Sequence, residues 1–125
     1  MKAMEMAASV VVVHNERNTR ELAVASLRAA GLEAIGFDDP MAALDAIESD
    51  PGLRVLVTRI SFGTGKPNGT ALARMARVKR PGTKVLFVAR EENAPFTEDL
   101  GAFLAAPLDS FLLVETVGRL LTSPD

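Results

Sequence analysis

Apolar residues recur along the chain in two alternating patterns, short unbroken blocks and a three-to-four-residue spacing. Val10-Val11-Val12-Val13, Val55-Leu56-Val57-Thr58 and Val85-Leu86-Phe87-Val88 are blocks rich in β-branched residues. Blocks of this length predict strands covered on both faces. Ala34-Ile35-Gly36-Phe37 is a weaker strand, and Ala102-Phe103-Leu104 a brief one. Between the blocks the spacing turns helical. Leu22, Ala23, Leu27 and Ala30 share one face of a helix over about 18–30, and Gly31 is suited to its C-terminal cap. Asp39-Pro40 opens a second helix, with Asp39 as N-cap and Pro40 at the first helical position. Met41, Leu44 and Ile47 line it, and Ser49-Asp50-Pro51-Gly52 stops it. Leu72, Met75 and Ala76 mark a third helix, capped by Asn68 or Thr70 and ended by Arg80-Pro81-Gly82. The stretch from Glu91 to Leu100 is polar and holds Pro95, so any helix there is short. Leu113, Val117, Leu120 and Leu121 line the last helix, capped by Asp109 or Ser110.

Strand and helix thus alternate five times. That alternation predicts an α/β fold, a three-layer, doubly wound parallel five-stranded sheet with helices on both faces. In such folds the working site lies beyond the carboxyl ends of the strands. The residues there are His14 and Asn15, Arg59, Ala89 and Arg90, and Ala105 and Ala106.

Composition narrows the chemistry. The 125 residues suit one domain, read as residues 9–122 after an N-terminal extension of residues 1–8. A net charge of -2 requires neither nucleic acid nor an acidic membrane as partner. The chain has no cysteine, which excludes disulfides and thiolate chemistry, and its one histidine makes a zinc site an unfavourable reading. The N-terminal stretch is too interrupted for a secretory signal, and no apolar run approaches the roughly 20 residues of a membrane span. The expectation is a cytoplasmic protein.

The order and punctuation resemble the receiver domain of bacterial two-component response regulators, from Ser9 to Leu121. The segments that carry the resemblance are Val10-Val11-Val12-Val13-His14-Asn15-Glu16, Val55-Leu56-Val57-Thr58-Arg59-Ile60 and Pro67-Asn68-Gly69-Thr70-Ala71-Leu72-Ala73-Arg74. Arg80-Pro81-Gly82-Thr83-Lys84-Val85-Leu86-Phe87-Val88 and Gly101-Ala102-Phe103-Leu104-Ala105-Ala106-Pro107 continue it. The resemblance implies a flavodoxin-like (CheY-like) sheet in the order 2-1-3-4-5, with a shortened fourth helix.

Receivers pass a phosphoryl group to an aspartate after the third strand. An acidic pair after the first strand holds Mg²⁺, and a hydroxyl residue after the fourth strand and a lysine after the fifth bind the phosphoryl oxygens. In this chain the acidic pair falls on His14 and Asn15, the acceptor on Arg59, the hydroxyl on Ala89 and the lysine on Ala106. A guanidinium is no phosphoryl acceptor and stays protonated. The resemblance is therefore to a degenerate pseudo-receiver with no phosphoacceptor, no Mg²⁺ or other cofactor, and no enzymatic activity. No nucleophile with a base beside it can be named; Ser61, Thr58 and His14 do not make a set.

Two readings of Arg59 stand side by side, a fixed cation in the pocket and a relic turned to solvent. A cation at a strand end is costly if buried unpaired, so a carboxylate partner is expected, Glu16 first and Glu91 or Glu92 next. His14 is read as a hydrogen-bonding loop residue before a pH sensor. Gly63-Thr64-Gly65-Lys66 is followed by Pro67, breaks the phosphate-loop spacing, and is read as a flexible turn. The basic stretch Arg74, Arg77, Lys79, Arg80 and Lys84 lacks interleaved aromatics and is read as a solvated face without nucleic-acid binding.

The function expected is a phosphorylation-independent signalling module working by protein–protein contact. Its face combines the short fourth helix, the fifth strand and the last helix, with Phe103, Pro107 and Phe111. With no output module in the chain, the partner acts in trans or the chain is part of a longer protein. The apolar run Phe111 to Val114 also suits a homodimer through the last helix. The alternative is a small-anion sensor, with Arg59, His14 and Asn15 at the rim of the vacated pocket.

Overall fold

Each apolar block becomes a strand because its side chains are covered on both faces of one sheet. The computed structural model describes residues 9–123, so the extension expected over residues 1–8 lies outside the described residues. The strands are β1 (Ser9–Val13), β2 (Glu33–Phe37), β3 (Leu53–Thr58), β4 (Lys84–Ala89) and β5 (Ala102–Ala105). They form one parallel sheet in the order β2-β1-β3-β4-β5, as expected. Alternate residues serve the two layers. Val11, Val13, Leu56 and Phe87 pack with the helices α2 (Pro40–Ser49) and α3 (Gly69–Lys79). Val10, Val12, Val57 and Leu86 pack with α1 (Arg17–Ala29) and α4 (Ser110–Thr122). Burying a Val or Leu side chain fully is worth about 1.5–3 kcal/mol, so these two cores fix the layering.

Local signals set the helix ends. Leu32 N–H bonds Leu27 C=O at 3.1 Å and Gly31 N–H bonds Arg28 C=O at 2.9 Å. This is the reversal that a glycine at φ +91° permits. Asp39 Oδ2 accepts from Ala42 N–H at 3.1 Å, with Pro40 as the first helical residue. Asn68 Oδ1 accepts from Ala71 N–H at 2.8 Å, and Asp109 Oδ1 from Leu112 N–H at 3.1 Å, which selects Asn68 and Asp109 from the two pairs of candidate caps.

The polar stretch after β4 folds as a short 3₁₀ helix, Glu91–Thr97, with Pro95 inside it. The shortened fourth helix is thus present in a tighter form, because proline removes a backbone donor.

The loop after β3 contains the glycine turn expected over Gly63 to Lys66, and Phe62, just before that turn, is buried in the core that contains Leu72 and Phe87. Lys66 Nζ lies 2.8 Å from Asp39 Oδ1 at the start of α2. Gly63 and Gly65 do take positive φ (105° and 83°), as a glycine turn requires. The loop turns at these two glycines and is anchored on either side of them, by Phe62 before and Lys66 after.

Candidate functional site

Register brings the strand-end residues together. Val13 pairs with Thr58 across β1 and β3, so His14 and Arg59 emerge side by side. Chain order reverses here, since β2 lies on one side of β1 and β3 on the other. A crevice at such a switch point is where open α/β sheets bind ligands. Ala89 N belongs to the end of β4, and Ala89 C=O accepts from Ala106 N–H at 2.7 Å, drawing the β5 end alongside. The following Ala106–Pro107 peptide bond is cis.

The result is a cleft of about 580 Å³. His14, Arg59, Ala89 and Ala106 all line it, as the strand-end argument expected, and so does Glu16. Asn15 is not among the lining residues; it reaches the site through Arg59. Sequence reasoning missed Thr19, Asn93 and Leu108, which also line the cleft. Thr19 lies in the first turn of α1, beyond the loop that follows β1, and the 3₁₀ turn that brings Asn93 to the cleft has no strong periodic signal.

Arg59 makes the contact that organises the site. Its Nη1 donates to Asn15 Oδ1 at 2.7 Å. Among the described residues none of the carboxylates expected for Arg59 pairs with it. Glu16 Oε1 instead accepts from Thr19 Oγ1, and Glu92 lies 3.9 Å from Arg90. No ion pair joins Arg59 to Glu16, Glu91 or Glu92. The premise behind the expectation was full burial. Arg59 is only half-buried, so water shares its solvation and a neutral amide oxygen suffices.

His14 is held as a neutral ring. Its Nδ1 accepts from Glu16 N–H at 3.0 Å, which leaves Nε2 to carry the proton. Burial lowers its pKa below the ordinary 6.5 and the positive charge of Arg59 lowers it further; Glu16 opposes, and Arg20 adds to the lowering. Arg20 also donates from Nη1 to His14 C=O at 2.8 Å, fixing the loop backbone.

The residues present do not suit the Mg²⁺ that a receiver-like fold implies. That ion takes hard oxygen ligands, carboxylates above all. Among the described residues the only carboxylate lining the cleft is Glu16, which Thr19 engages, and the guanidinium of Arg59 in the same cleft would repel a cation. Among the described residues no group of three or more His, Cys, Asp or Glu could hold a metal ion.

Elsewhere the expected face divides. Phe103 is half-buried against the core that holds Phe87, so it offers a partner only part of its ring. Pro107 is exposed and lines the cleft. Phe111 is 74% exposed, and Phe96 of the 3₁₀ helix, not singled out from sequence, is 68% exposed. The basic stretch is largely consumed internally. Arg80 donates to the carbonyls of Ile47 and Glu48, Arg77 to that of Thr83, and Lys79 pairs with Glu48. No helix among the described residues is long and apolar enough to cross a membrane.

No protein-family model matches the chain, and no curated protein matches it. Solved structures do. The receiver domain of the hybrid histidine kinase CckA is 25% identical, with a TM-score of 0.78 over 92% of this chain and 100% of that one. A response regulator receiver protein from Sinorhizobium medicae WSM419 is 21% identical, with a TM-score of 0.83 over 95% of this chain and 98% of that one. NtrX from Brucella abortus is 26% identical, with a TM-score of 0.83 over 93% of this chain but 27% of that one. With the strand order and the layering above, the chain has the flavodoxin-like fold of CheY-like response regulator receiver domains.

Proposed function

We propose that the chain is a receiver-like signalling module of two-component type that takes no phosphoryl group and acts by protein–protein contact. The observation that carries this reading is Arg59 at the acceptor position, hydrogen-bonded to Asn15. A phosphoryl acceptor must be a nucleophile, and a protonated guanidinium is not one. Ala89 and Ala106 supply no donor for the oxygens of a transferring group. His14 and Asn15 bring no anionic oxygen for a metal. The fold is retained while each chemical role is vacant, which supports a scaffold used for contact. Exposed Phe96 on the 3₁₀ helix and exposed Phe111 on α4 each offer apolar surface to a partner, and a second copy of the chain is one candidate.

The test is a titration of the labelled chain with Mg²⁺ and beryllofluoride, followed by backbone amide shifts. The expected result is no saturable change around residue 59. Saturable shifts there, spreading to Ala89 and Ala106, would overturn the reading.

A further inference from the structure

The cleft at the strand ends has two unlike halves. One half, at the β1 and β3 ends, is cationic and rich in donors, formed by Arg59 and His14. The other is apolar, formed by Val88, Ala89, Ala106 and Leu108. Its volume of about 580 Å³ suits a small molecule. Arg59 gives one N–H to Asn15 and keeps four more. A guanidinium matches a carboxylate through two parallel hydrogen bonds. Arg90 is held only loosely, 3.9 Å from Glu92 with both side chains largely exposed, so it adds positive charge at the rim. Among the described residues Glu16 is the one lining group that would oppose an anion; Thr19 bonds one of its oxygens and leaves the charge in place, so the positive charges of Arg59 and Arg90 outnumber it.

A bare inorganic anion would use the cationic half and leave the apolar half wet. A neutral apolar molecule would leave the guanidinium unanswered. From the two halves together we propose that the cleft binds a small organic carboxylate. Its carboxylate meets Arg59, and its hydrocarbon part lies over Ala89 and Ala106. The methyl side chains at these two positions leave the room. This inference rests on the reading that residue 59 takes no phosphoryl group, and it adds a ligand class to that reading.

Butyrate is the probe, with butyramide as its uncharged counterpart and inorganic phosphate as the anion without a tail. All three are titrated into the labelled chain at constant ionic strength, which holds screening fixed. Butyrate should give saturable amide shifts at Arg59, Ala89 and Ala106, and bind more tightly than either control. Arg59→Gln should weaken butyrate at least about tenfold, the loss expected for a charge-assisted hydrogen bond. Ala106 is exposed and outside both cores, so Ala106→Leu should fill the cleft and abolish binding while the rest of the spectrum is kept. Equal binding of butyrate and butyramide, phosphate binding as tight as butyrate, or unchanged butyrate binding in both variants would overturn the proposal. A beryllofluoride response would instead remove the reading beneath it, so the two failures are distinguishable.

Discussion

Arg59 Nη1 donates to Asn15 Oδ1 at 2.7 Å, across 44 positions of sequence, and so ties the end of β3 to the loop after β1. The bond joins a guanidinium just after β3 to a side-chain amide just after β1. A neutral amide oxygen meets the cation without an ion pair.

The pair should be weak in stability terms, because it lies where water competes. Asn15→Ala, Arg59→Ala and the double variant form a cycle that isolates the contact. Urea denaturation should give a coupling below about 1 kcal/mol. A coupling several times larger would mean that the guanidinium is far less solvated than its half-buried state implies.

Arg59→Asp should not make a phosphoacceptor. The carboxylate would be restored, yet His14, Asn15, Ala89 and Ala106 would still leave metal and phosphoryl oxygens without partners. Incubation with acetyl phosphate and Mg²⁺, read by intact mass, should show no phosphoryl adduct. A Mg²⁺-dependent adduct on residue 59 would falsify the claim that the surrounding roles are vacant.

His14 should make stability depend on pH in a definite direction. Its folded-state pKa lies below the ordinary 6.5, chiefly through burial. In this range the unfolded chain therefore binds more protons than the folded one, and stability rises with pH. The contribution is fully present above the unfolded pKa. It is lost as pH falls below that value, until the folded imidazole also takes its proton. Urea midpoints measured over about pH 5–8 should show this slope, and His14→Gln should flatten it. An unchanged slope in the variant would place the proton uptake elsewhere.

Gly69→Ala should be destabilising although Gly69 is helical. A Cβ there would lie 2.0 Å from the carbonyl oxygen of Arg59, and Gly69 N–H bonds Ile60 C=O at 2.7 Å. Alanine normally favours a helix by about 1 kcal/mol over glycine. The clash is with backbone that cannot swing aside, so a net loss of about 1–3 kcal/mol is expected in urea denaturation. A gain in stability would show that the α3 start can move away from β3.

The element order was legible because its signals are local. The valine block of β1, the Asp39-Pro40 start of α2 and Gly31 after α1 each act within a few residues, through strand burial, capping and a permitted positive φ. The strand-end positions were legible for the same reason: once β1, β3, β4 and β5 are placed, His14, Arg59, Ala89 and Ala106 must follow them. Less legible was what these side chains touch. Asn15 and Glu16 are sequence neighbours, and charge alone favoured Glu16 for Arg59; Thr19, one turn into α1, engages that carboxylate instead. Phe62 looked like a loop residue because nothing nearby in sequence shows that Leu72 and Phe87 will enclose it. Lys66 reaches Asp39 across 27 positions, a distance no spacing rule spans.

The sequence by itself determined an alternating α/β chain with His14, Asn15, Arg59, Ala89 and Ala106 at its strand ends, none of them a carboxylate, a hydroxyl residue or a lysine. Those are statements about residue types in order, and residue types need no coordinates. Only the tertiary structure decided that Arg59 takes Asn15 rather than a carboxylate, that burial and Arg59 lower the pKa of His14, and that two alanines line one cleft with two arginines. Each depends on which groups share water and which exclude it, and that is settled where separate strands end side by side.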